Sequence, residues 1–153
     1  MSETYTIVVK AEGFQKDLAR VEKKLRTAAA VAAVESGGRQ IMNFAKLNVQ
    51  RVFSHHQGGD AGINGTWTVE AKAVGKGAEA TIAPHTAYTR IQELGGTIEP
   101  VHAKRLAWRD PDSGKWCFAK KVTLKPRPYL RPAVEDHMTE IRDAMLSAID
   151  SFI

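Results

Sequence analysis

Apolar positions along this chain recur at two spacings, and the changes from one to the other mark out its elements. From Thr4 to Lys10, Tyr5, Ile7 and Val9 alternate onto one side of a β-branched, aromatic segment, which predicts a first strand. Ala11-Glu12-Gly13 ends it. Phe14, Leu18, Val21 and Leu25 then recur at helical intervals with charges between them, and the small residues from Ala28 to Val34 allow close backbone approach. Ile41, Phe44, Ala45, Val49 and Val52 continue the pattern beyond Gly37-Gly38. Two glycines cost about 1 kcal/mol each against alanine in a helix interior. The expectation is two helices in tandem, or one long kinked helix, ending near His55.

Residues 56–65, rich in glycine and poor in apolar side chains, read as a mobile loop that includes Gly58 and Gly59. Thr66 to Val74 and Ala78 to Ala83 then form a hairpin around Gly75-Lys76-Gly77. Ala87, Tyr88, Ile91 and Leu94 share one face of a short helix, and Gly95-Gly96 supplies the positive φ that stops it. Thr97 to Glu99 and Arg105 to Arg109 read as short strands around a basic loop at His102-Ala103-Lys104. Asp110-Pro111-Asp112-Ser113-Gly114 has the chemistry of a turn. Trp116 to Ala119, with Val122 and Leu124, forms the return strand, and cross-strand aromatic packing of Trp108 with Trp116 and Phe118 would fix the register. Residues 101–125 are thus a basic β-hairpin. Lys125 to Ala133, with Pro126, Pro128 and Pro132, is a stiff strut into the last helix. Val134, Met138, Ile141, Met145, Ala148 and Phe152 make that helix's apolar stripe.

The chain has 153 residues, 43% hydrophobic and 25% charged, which suits a single domain over 1–153 with a sizeable core. No apolar run is long enough to predict a membrane span, and the basic-then-apolar start of a signal peptide is missing. Cys117, the single cysteine, can form no internal disulfide, consistent with a reducing cytoplasm. The formal charge of +5 is unevenly placed. Residues 101–131 hold nine Lys or Arg against Asp110 and Asp112, whereas 132–153 hold Arg142 against five acids. Such blocks pair with each other, meet across copies of the chain, or form two solvated faces.

Little in the sequence suggests catalysis. His55, His56 and Asp60 are metal-ligand types, but no further ligand stands at ligand spacing. Cys117 lies between Trp116 and Phe118 in a predicted strand and points away from both, with nothing marking an oxyanion hole, so a structural thiol is expected. Gly58-Gly59 and Gly75-Lys76-Gly77 lack the following helix of a phosphate cradle. No cofactor, metal or enzyme activity is expected. The basic hairpin is different: Lys104, Arg105, Arg109, Lys115, Lys120 and Lys121 interleave with Trp108 and Trp116, a composition that can track phosphates and stack bases. Strand alternation favours a plainer arrangement, with aromatics in the core and charges in water.

Tyr88 with Gln92-Glu93-Leu94-Gly95-Gly96, followed by Arg127-Pro128-Tyr129-Leu130-Arg131-Pro132-Ala133 before a terminal helix, resembles the tail-completion and head-tail joining proteins of tailed bacteriophages. That group includes minor tail protein Z and the virion-morphogenesis proteins. Tyr88, Glu93, Gly95, Gly96, Pro128 and Pro132 carry the likeness, which is structural in character and brings no catalytic residue. It implies a virion protein of the tail or neck, assembled in the host bacterial cytoplasm, that caps the tail tube and joins it to the head-closure or portal layer. Such proteins work as rings, commonly of six copies, with tail-tube and head-closure or portal-adaptor proteins as partners and DNA passing through the lumen.

The expected fold is α+β, an antiparallel sheet of four to six strands with the long N-terminal helices and the C-terminal helix on one face. Subunit contacts are expected at Arg127, Arg131, Lys104, Arg105, Lys120, Lys121, Gly58 and Gly59, with Tyr129 and Leu130 as apolar anchors. A nucleic-acid-binding module using 101–131 is the alternative.

Overall fold

The computed structural model describes residues 7–10, 23–53, 63, 65, 67–86, 88–110 and 113–152. The fold is α+β, built around one long helix, α1 (Lys23–Phe53). The helical repeat expected from Phe14 to Val21, the loop glycines Gly58 and Gly59, and the His55-His56-Asp60 group lie outside the described residues.

Gly37-Gly38 sits inside α1 and does not divide it. The reason is close packing. A Cβ on Gly37 would stand 2.7 Å from Met145 Cγ, and one on Gly38 would stand 2.8 Å from Val69 Cγ1. Consecutive glycines therefore let one turn of α1 approach the terminal helix through one and the sheet through the other. The loss of helix propensity is offset by apolar contact that a side chain would prevent.

β1 (Ile7–Lys10), β2 (Trp67–Val74) and β3 (Gly77–Pro84) form an antiparallel sheet in the order β1-β3-β2. Val74 pairs with Gly77, so Gly75 and Lys76 make a two-residue loop, and Gly75 has the positive φ (57°) that such a loop needs at its first position. The central strand buries Ala78, Ala80 and Ile82 against Ala30, Ala33, Val34 and Ile41 of α1. Small residues on both sides bring helix and sheet together.

Among the described residues the expected single sheet is divided: β4 (Gly96–Ile98) pairs with β7 (Val122–Leu124), and β5 (Leu106–Arg109) with β6 (Trp116–Ala119). Lys120 and Lys121 interrupt the return strand, so the two pairs follow one another along a ribbon. The terminal segment is divided too, into α3 (Leu130–Glu135) and α4 (Met138–Asp150). At the break, the His137 ring stacks on Phe44 of α1 with 3.7 Å between centroids. Ile141, Met145 and Ile149 bury α4 against α1, and Ser36 Oγ donates to the Ala144 carbonyl at 3.1 Å. Met138, assigned to the apolar stripe by its spacing, is 62% exposed. It stands in the first turn of α4, ahead of the buried stretch. A second cluster closes the other end of α1, where Ala45, Val49 and Phe53 meet Ile63, Tyr129, Leu130 and Ala133.

Candidate assembly surface

The short helix α2 (Thr89–Leu94) reverses the polarity that its spacing predicts. Tyr88 and Leu94, which spacing places on the apolar face, are both more than half exposed, while Thr89 and Glu93 are buried. Glu93 explains the reversal. Its Oε2 accepts the backbone N–H of Tyr129 at 2.7 Å and of Leu130 at 3.0 Å, and its Oε1 accepts that of Arg131 at 3.0 Å. A helix start leaves about four N–H groups without intrahelical partners. Here Tyr129, Leu130 and Arg131 give theirs to one carboxylate, and Pro132, next in line, has none to give. Tyr129 makes no side-chain cap at this N-terminus, so α3 takes its cap from another helix. The negative charge also meets the positive end of the α3 dipole.

Further bonds tie the strut to α2 and α1. The Arg127 N–H donates to the Gln92 carbonyl at 2.7 Å, Tyr129 Oη donates to the Thr89 carbonyl at 3.3 Å, and Asn48 Nδ2 donates to the Tyr129 carbonyl at 3.0 Å. Trp67 meets the Tyr129 ring edge to face at 6.3 Å. Gly95, with φ of +70°, makes the crossing possible: a Cβ there would lie 2.8 Å from the Leu124 carbonyl and from Pro126 N and Cδ. Gly96 also has positive φ (151°) and begins β4. Pro128 is exposed and Pro132 half-buried beside this joint.

Tyr129 and Leu130 are therefore not surface anchors. Both are 0% exposed within their own chain, because the cap from Glu93 seats the start of α3 inside the second core cluster. Arg127 is half-buried, its guanidinium 5.8 Å from the Phe53 ring centre. Arg131 is exposed and pairs with Glu135 at 3.0 Å. Spacing alone did not reveal the role of Glu93; the available signal was a helix start, Tyr129-Leu130-Arg131-Pro132, lacking Ser, Thr, Asp or Asn in the capping position.

The ribbon is the surface left over. Residues opposite one another in an antiparallel pair share a face, so Trp108 opposite Cys117 lies on one side and Arg109 opposite Trp116 on the other. Trp108 thus does not stack across the strands on Trp116 or Phe118, contrary to expectation. The aromatics do not enter a core either: Trp116 is 66% and Phe118 61% exposed. Lys104, Arg105, Lys115, Lys120 and Lys121 are exposed around them. At the tip, the Asp110 N–H donates to the Lys115 carbonyl at 2.8 Å, and Arg109 Nε donates to the Gly114 carbonyl at 2.8 Å, which closes the turn. Cys117 is half-buried on the Trp108 side.

The opposite charge lies on α4. Glu140, Asp143 and Asp150 are exposed on its outer side, and Arg142 stands nearer the edge. Backbone and His137 hydrogen bonds to the Glu140 carboxylate hold it below the usual carboxylate range. Among the described residues, no group of three His, Cys, Asp or Glu side chains is placed to hold a metal ion, and no helix is long and apolar enough to cross a membrane. Comparison with protein-family models, curated proteins and solved structures gave no match.

Proposed function

We propose that this protein is a structural virion subunit of a tailed phage, which completes or caps the tail tube and joins it to the head-closure or portal layer as one member of a ring. The reading rests on the resemblance carried by the Tyr88 to Gly96 and Arg127 to Ala133 segments, and on one observation. A two-stranded ribbon presents Trp116 and Phe118 to water while burying neither in its own chain. Isolated two-stranded ribbons are marginally stable in water, and exposed aromatic patches are characteristic of contact surfaces. Behind it, the Glu93 joint fixes the ribbon's root to the body at Gly95-Gly96. That arrangement suits a protein that works by shape, reaching from a rigid body to its neighbours, with rotational closure of a head-to-tail contact producing the ring.

Electron microscopy of the purified protein tests this. Rings with a central hole, and their retention on isolated tails, are expected; a monomer at every concentration that ignores tail and head components overturns the reading. A second reading, nucleic-acid binding, is favoured by the nearness of Trp116 and Phe118 to Lys115, Lys120 and Lys121. It requires an affinity for short oligonucleotides that falls steeply with salt.

A further inference from the structure

Because no described residue covers the ribbon's aromatic face, what covers it is a question of chemistry, and charge narrows the answer. The ribbon and the strut carry nine basic residues against two acids over 101–131, and the following 132–153 carry five acids against Arg142. The acids are displayed in order. Glu140, Asp143 and Asp150 recur at intervals of three and seven along the outer side of α4, whose inner side is occupied by Ile141, Met145 and Ile149. The two surfaces are opposite in charge.

We propose that the partner of the ribbon is a second copy of this chain: the Trp116–Phe118 face of one copy lies on the outer side of α4 of the next, with Lys120 and Lys121 against Asp143 and Asp150. This names the contact within the ring and so rests on the ring reading above. Distinct patches meet, so the contact is head-to-tail, and a growing chain keeps one free ribbon at one end and one free α4 face at the other until the ring closes. Desolvating an aromatic pair supplies the attraction, and the charge pattern sets orientation and rejects ribbon-on-ribbon pairing.

Two charge-reversal variants test it, K120E/K121E on the ribbon and D143K/D150K on α4. All four side chains are exposed, so circular dichroism and melting temperature should match the parent protein, which keeps any assembly result interpretable. In sedimentation, each variant alone should need a concentration more than about tenfold higher to assemble, because its own two surfaces now repel. Mixed in equal amounts, they should assemble again, since each ribbon finds an opposite charge on the other variant's α4. Assembly of either variant alone at the parental concentration, or no recovery on mixing, overturns the proposal, even if the parent forms rings. Parental assemblies that are not rings but obey the same swap keep this contact and refuse the ring. Weaker retention of a single-stranded oligonucleotide by K120E/K121E, with assembly unchanged, assigns the ribbon to nucleic acid and overturns the contact.

Discussion

Glu93 and Tyr129, 36 positions apart, meet through a 2.7 Å bond from the Tyr129 backbone N–H to the Glu93 carboxylate. One acid thereby does for α3 what a Ser or Asp in the capping position ordinarily does, and it does so across the fold. The same bonds hold the strut against α2, from which the ribbon departs at Gly96, so local helix chemistry determines where the ribbon is rooted.

Removing this carboxylate leaves three backbone donors at the α3 start without their acceptor, in surroundings where Tyr129 and Leu130 are fully buried. Glu93→Ala is expected to cost about 3–5 kcal/mol, and about 10 °C or more in melting temperature. Glu93→Gln keeps one acceptor oxygen but turns an NH2 group towards a donor, for about 2–3 kcal/mol. Urea unfolding of the two variants beside the parent checks both the size and the order.

Tyr129→Ala and Leu130→Ala each empty a fully buried site and are expected to destabilise the monomer by about 3–5 and about 2–5 kcal/mol. Tyr129→Phe loses the bond to the Thr89 carbonyl, about 1 kcal/mol. Chemical unfolding at a concentration where the protein is monomeric reads these losses directly. Parental stability with impaired assembly would return both residues to the surface.

Much of the architecture is visible in the amino-acid pattern. The β2–β3 hairpin follows from alternation around Gly75-Lys76, and the buried stripe of α4 follows from Ile141 and Met145. Two features are not visible, for physical reasons. Periodicity assigns a helix's apolar side to the core, yet in α2 the side holding Glu93 is buried because a distant helix start needs an acceptor. Strand alternation shows that Trp116 and Phe118 share a face but not whether anything covers it, which depends on where the ribbon leaves the body. Gly37-Gly38 falls between: its spacing signals something unusual, but a helix break and a close crossing present the same residues.

Gly95 offers a sharper comparison among glycines. Gly95→Ala must place a side chain at φ of +70° and 2.8 Å from both the Leu124 carbonyl and Pro126, so about 2–4 kcal/mol is expected. Gly77→Ala meets nothing closer than 4.0 Å, without positive φ, and should change stability by less than about 0.5 kcal/mol. Paired thermal melts distinguish a steric requirement at the α2–β4 crossing from a general intolerance of added methyl groups.

The ribbon aromatics should show the reverse of the Tyr129 behaviour. Trp116→Ala with Phe118→Ala removes side chains that are 66% and 61% exposed, so the folded monomer has little packing to lose there. Its melting temperature should fall by no more than about 3 °C, equivalent to about 1 kcal/mol. Assembly should weaken far more, because buried aromatic side chains carry much of the energy of protein contacts and truncating two of them commonly costs at least about 2 kcal/mol each. Arg109, opposite Trp116 on the same face, is held to the Gly114 carbonyl at the tip, so the turn should persist in the double variant and the ribbon's backbone with it. Tryptophan fluorescence supplies an independent check: Trp116 emission in the parent should shift to the blue and become shielded from iodide as concentration rises through the assembly range. The single variant Trp116→Phe should lose that shift while still assembling, since a phenyl ring retains much of the contact. A large fall in monomer stability, or Trp116 emission that ignores concentration in an assembled sample, would mean that this face is covered from within the chain.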